Sequence, residues 1–126
     1  MILGIGTDII EIKRLQEAMD RHPETFLART FTPAELEIAT TRKMSAMAFY
    51  AGRWAAKEAL AKALGTGFSK ECSWLDINIG NDERGKPYVE LSGITSESAQ
   101  SYGIKSWHLS ISHEQNYATA MIVAES

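Results

Sequence analysis

The stretch Ser45-Ala46-Met47-Ala48-Phe49-Tyr50-Ala51-Gly52-Arg53-Trp54-Ala55-Ala56-Lys57-Glu58-Ala59-Leu60-Ala61-Lys62-Ala63-Leu64 is the longest helical signal in the chain, and Gly65 follows it as a natural stop. Ala51, Ala55, Ala59 and Ala63 recur every fourth residue, a small-residue row that permits close packing. At 100° per residue Arg53 and Lys57 share one edge and Glu58 and Lys62 another, with Tyr50, Trp54 and Ala61 between them. An ordinary surface helix has one polar stripe; this one has two. A Glu58–Lys62 pair at i, i+4 also suits a plain solvated face, where it stabilises by only ~0.3–0.5 kcal/mol.

Outward from this helix the elements alternate in type. Ile2 to Ile12, broken by Gly4 and Gly6, predicts a buried strand and turn. Lys13 to Arg21 predicts a short helix with Leu15, Ala18 and Met19 on one face, and Pro23 opens another through Arg29. Thr32-Pro33-Ala34-Glu35 has the form of a capped helix start, the helix running to about Thr40. Beyond the long helix, Ser73–Ile79 and Pro87–Leu91 predict strands joined by a turn over Asn81–Lys86. Thr95–Tyr102 predicts a helix; Trp107–Ser112 and Tyr117–Val123 predict a hairpin around His113–Asn116. The order implies one α+β domain over residues 1–126, a mainly antiparallel sheet packed on a long central helix.

Composition narrows the function classes. The 44% apolar content suits a folded globule, and the net charge of −3 makes no general case for nucleic acid or membrane as partner. Residues 13–62 nevertheless carry nine Lys or Arg against six Asp or Glu, against sums of −2 and −4 on either side. Such a basic region fits a specific acidic partner, or simply scattered solvated charge. Cys72 is the only cysteine, so no internal disulfide and no thiolate metal site forms within one chain. Met1–Gly6 shows neither a basic leader nor a small-residue cleavage site, which sets the expectation of a cytoplasmic protein.

Chemistry can be read at several points. Asp8 ends a buried-looking strand, where a carboxylate is costly unless paired, hydrogen-bonded or bound to a cation. With a carboxylate on the central helix it can share Mg²⁺, which takes one or two carboxylates plus phosphates and water; a turn acid is the alternative. Glu11, beside Lys13 and Arg14, reads as a helix-start acid. Gly65-Thr66-Gly67 suits a helix cap, or a backbone that approaches a phosphate or amide. Lys86 in Gly85-Lys86-Pro87 is available to a phosphate, and His113 is a turn histidine or a pH-active ligand contact.

Gly4-Ile5-Gly6-Thr7-Asp8-Ile9-Ile10-Glu11-Ile12 resembles the N-terminal motif of the holo-acyl-carrier-protein synthases, and Trp54 to Phe68 resembles that family's second motif almost throughout. Asn81–Pro87 and Ser110-Ile111-Ser112-His113 fall where the family has a turn and a ligand-contacting strand end. The resemblance implies the 4′-phosphopantetheinyl transferase fold and transfer of 4′-phosphopantetheine from coenzyme A to a serine of apo acyl carrier protein in fatty acid biosynthesis. It makes Asp8 and Glu58 the expected Mg²⁺ ligands and Lys62 the phosphate contact. Gly65, Thr66 and Gly67 would line the path of the coenzyme, with Gly85, Lys86, Pro87 and His113 near its adenine and 3′-phosphate end. Arg14 and Arg21 become candidates for docking the acidic carrier. Either Glu58 or a metal-held water kept by Glu35 is a candidate base for the serine. A homotrimer with sites between subunits is implied, which also suits a chain too small to bury so long a ligand. Two rival readings use the same residues: a Mg²⁺ phosphohydrolase with water as nucleophile, and a basic docking module without chemistry.

Overall fold

In the computed structural model, which describes all 126 residues, five strands and four further α-helices surround the long helix. Strand β1 (Ile2–Glu11) leads into helices α1 (Ile12–Arg21), α2 (Pro23–Thr30) and α3 (Pro33–Thr40). A 3-10 turn at Lys43–Ser45 opens α4 (Ala46–Leu64). Strands β2 (Ile77–Asn81) and β3 (Pro87–Leu91), helix α5 (Gly93–Ser101), and strands β4 (Ser106–His113) and β5 (Tyr117–Glu125) complete the order. All pairings are antiparallel: β1-β5-β4 form one sheet and β2-β3 a separate ribbon. No helix is long and apolar enough to cross a membrane.

The helix lies close against the three-stranded sheet because the facing positions are mostly alanine and glycine. Ala51, Ala55 and Ala59 are fully buried, and Ala63 is buried at the end of the same row. On β5 the inward positions Ala118, Ala120, Ile122 and Ala124 are buried in strict alternation. On β1 the inward positions begin with glycine. A Cβ on Gly4 would stand 2.1 Å from the Ala63 carbonyl oxygen, and one on Gly6 would stand 1.8 Å from that of Ala59. Two strand residues advance about 6.8 Å and four helix residues about 6 Å, so strand and helix stay in step. The next inward position on β1 is Asp8, which this register carries toward the middle of α4.

Local chemistry fixes several boundaries. Thr32 Oγ1 accepts from the Glu35 N–H while Glu35 Oε1 accepts from the Thr32 N–H, so the expected capping box is formed. Gly65 ends α4 in the left-handed region at φ 88°. The strand expected over Ser73–Ile79 starts only at Ile77, because Trp74–Asp76 forms a 3-10 turn. Carbonyls there are spoken for: Trp74 O accepts from Lys57 Nζ and Asp76 O from Ser92 N. The Asp76 carboxylate also accepts from the Thr95 N–H and hydroxyl, at the start of α5. That helix begins at Gly93, two residues before the expected Thr95.

Candidate active site

Asp8, Glu58 and Lys62 come together where β1 crosses α4. Lys62 Nζ lies 3.1 Å from Asp8 Oδ1 and donates to the Thr7 carbonyl at 3.0 Å. The Asp8 side chain is 12% exposed, and its Oδ2 is buried with no hydrogen-bond partner. Burial, and secondarily the neighbouring Asp8 charge, hold the Glu58 carboxyl above its ordinary range, with Lys62 pulling the other way. Two facing carboxylates with one oxygen unsatisfied fit a divalent cation. Two carboxylates are fewer ligands than a closed protein cage supplies, and no group of three or more His, Cys, Asp or Glu stands close enough to form one.

At the end of α4, Gly65 and Gly67 both have positive φ, and a Cβ on either would meet nothing within 4 Å. The glycines answer the turn, not crowding. Their N–H groups donate to Ala61 O, so in this conformation they cap the helix and are not free to take a phosphate. Thr66 Oγ1 donates to Gly67 O. Glu58 lies one turn along α4 from Trp54, whose ring sits 5.7 Å from Trp74; Trp74 in turn stacks on Phe68 at 3.9 Å and 7°.

An open pocket of about 290 Å³ has Arg42, Arg53, Asn81, Gly85, Pro87 and His113 among its lining residues. Three of the four residues expected at the adenine end, Gly85, Pro87 and His113, therefore meet at one place. Lys86 is not in that lining; its N–H donates to Asp82 Oδ1 in the turn. The two arginines were not expected there. Arg42 lies 5.2 Å and Arg53 4.3 Å from the Phe49 ring centroid, and Arg53 Nη2 donates to Asn81 Oδ1. Burial lowers Arg53 to about 10, Glu35 opposing and Arg42 adding to the shift, so it stays charged at neutral pH. Two guanidiniums and an imidazole on one open pocket suit an anion. The only sequence signal was their basic character, since Arg42 and Arg53 are eleven positions apart.

Glu35 stands elsewhere. Its side chain has no exposure, and it forms a 2.7 Å ion pair with the equally buried Lys57. Oε1 also accepts from Thr32 N and Oε2 from Ile79 N. Lys57 Nζ spends its remaining protons on Thr30 O and Trp74 O. A carboxylate with no surface and these donors around it holds no solvent molecule, which corrects the expectation that Glu35 keeps a metal-held water. Arg53 and Lys57 thus form the inward polar edge of α4, and Glu58 and Lys62 the outward one. Arg14 and Arg21 are exposed on α1, opposite the buried Leu15 and Met19.

Residues 4–122 match the 4′-phosphopantetheinyl transferase superfamily. The chain is 49% identical to a holo-[acyl-carrier-protein] synthase of Protochlamydia amoebophila, all of both chains being covered. It is 46% identical to one of Hydrogenovibrio crunogenus, covering all of this chain and 98% of that protein. Its fold superposes on a holo-[acyl-carrier-protein] synthase crystal structure from Neisseria meningitidis with TM-score 0.93 at 38% identity, both chains fully covered. A holo-(acyl-carrier-protein) synthase from Bacillus anthracis, solved in complex with CoA (3′,5′-ADP), gives TM-score 0.84 at 44% identity, with 100% and 98% covered.

Proposed function

The chain belongs to the 4′-phosphopantetheinyl transferase superfamily, and from that premise we propose that it is a holo-[acyl-carrier-protein] synthase acting in fatty acid biosynthesis. It moves 4′-phosphopantetheine from coenzyme A to a serine of apo acyl carrier protein and releases adenosine 3′,5′-bisphosphate. The observation that carries this reading is the meeting of Asp8, Glu58 and Lys62 beneath an exposed edge of α4.

In the reaction the serine oxygen bonds to the phosphorus that bears pantetheine, the phosphoanhydride bond to the adenosine portion breaks, and the serine proton passes to a base. Asp8 and Glu58 would hold Mg²⁺, which when bound supplies positive charge to the phosphoanhydride oxygens. The third N–H of the half-exposed Lys62 ammonium would be free to donate to the same oxygens. Of the two candidate bases, Glu58 alone is partly open to solvent, so the serine proton is assigned to it. Thr66 and its flanking glycines form the open floor beside the pantetheine arm. Gly85, Pro87 and His113, joined by Arg42 and Arg53, take the adenine and 3′-phosphate end. Lys86 supports that end from the adjoining turn.

Arg14 and Arg21, two helical turns apart, are assigned to the acidic carrier. The outer face of the sheet exposes Leu3, Ile5, Ile9 and Met121 at 44, 59, 66 and 50%. Such an apolar face favours assembly, and we assign it to a homotrimer that completes its sites between subunits; full activity from a sedimenting monomer would contradict this. We assign it one domain over residues 1–126 and a place in the cytoplasm; a single cooperative unfolding transition is the expected sign of one domain. Release of adenosine 3′,5′-bisphosphate from coenzyme A tests the reading. It is expected only with apo carrier and Mg²⁺ both present. Release without carrier would instead identify a phosphohydrolase.

A further inference from the structure

Lys62 is placed to do more than meet a phosphate. Its ammonium makes two contacts on β1, the Asp8 carboxylate at 3.1 Å and the Thr7 carbonyl at 3.0 Å. The second contact is independent of the carboxylate. If Asp8 turns to another partner, the Thr7 carbonyl still keeps the positive charge beside the site. Lys62 is also one helical turn from Glu58 on the same helix. One ammonium therefore pairs with one of the two carboxylates that would hold a divalent cation and lies one helical turn from the other.

From this geometry we infer that Lys62 competes with the divalent cation for Asp8 and holds the cation affinity of the protein well below what its two carboxylates alone would give. This rests on the reading of Asp8 and Glu58 as the cation ligands. Lys62 satisfies Asp8 Oδ1 and leaves Oδ2 unpartnered. A cation taken up on Oδ2 gains one carboxylate oxygen but meets a like charge held within the same pair. With the Lys62 side chain 53% exposed, the repulsion is screened by water and salt, so the effect is a modest factor and not a block.

The test is a Mn²⁺ titration of the intact protein followed by electron paramagnetic resonance of free Mn²⁺, with no coenzyme A or carrier present. Lys62→Gln removes the charge from a half-exposed side chain, so it leaves the core untouched. It is expected to bind Mn²⁺ roughly three- to tenfold more tightly than the parent protein, the tightening shrinking at high salt. Lys62→Arg, which keeps the charge, is expected to keep the parent affinity. Binding by the parent with equal or weaker binding by Lys62→Gln would overturn the inference while leaving the metal reading intact. No Mn²⁺ binding by either protein, or binding undiminished by Asp8→Ala, would overturn both.

Discussion

Glu35 and Lys57 meet at 2.7 Å with neither side chain exposed, 22 residues apart in sequence and on different helices. The pair ties the start of α3 to the middle of α4. Through Thr30 O, Trp74 O and Ile79 N it also holds the end of α2, the 3-10 turn and β2. Removing one partner of such a pair strands a buried charge. Glu35→Ala is therefore expected to lower the unfolding free energy by about 3–5 kcal/mol in urea titration. Turnover per folded molecule should stay within a few-fold of normal. A Glu35→Gln protein of normal stability with turnover down a hundredfold would restore Glu35 as a base.

Asp8→Ala and Glu58→Ala are expected to retain the fold and lose about 10²–10³ in kcat, equivalent to ~3–4 kcal/mol of transition-state stabilisation. Folded variants with near-normal rates would sink the proposed metal site.

The pH behaviour of Glu58 follows from the same neighbours. Its carboxyl binds a proton more readily in the folded chain than in the unfolded one. Between the ordinary value of 4.5 and its raised value the unfolded chain thus holds fewer protons, and this group makes stability fall as pH rises. Asp8→Asn should bring the Glu58 pKa part of the way down, because burial, the larger cause, remains. Carbon-13 titration of the carboxyl checks this; an unmoved value would mean that Asp8 does not act on Glu58.

Much of this was legible because it depends on short-range rules. The capping box at Thr32–Glu35, the stop at Gly65 and the alternation in β5 are local patterns, and each formed as expected. The two polar edges of α4 were visible too, but not which one faces inward. That depends on Lys57 reaching Thr30 O and Trp74 O from 27 and 17 positions away. The same long-range carbonyl contacts turned Trp74–Asp76 out of the expected strand. The Arg42–Arg53 pocket was hidden because Phe49 and the β2–β3 turn assemble it only in three dimensions.

Gly6 tests whether close packing positions Asp8. Gly6→Ala would press a Cβ to 1.8 Å from the Ala59 carbonyl oxygen, backbone against backbone. The strand must lift, costing about 1–3 kcal/mol and carrying Asp8 away from α4. Both the denaturation midpoint and kcat should fall. An unchanged midpoint would show that β1 is not held at this distance.

The central claim is tested most directly by the mass of apo acyl carrier protein after incubation with this protein, coenzyme A and Mg²⁺. The account predicts a gain of one phosphopantetheine group, absent with chelator, absent when the carrier serine is replaced, and nearly absent with Asp8→Ala. A carrier mass unchanged under conditions in which the protein is folded, or a gain indifferent to Asp8 and the metal, would contradict it.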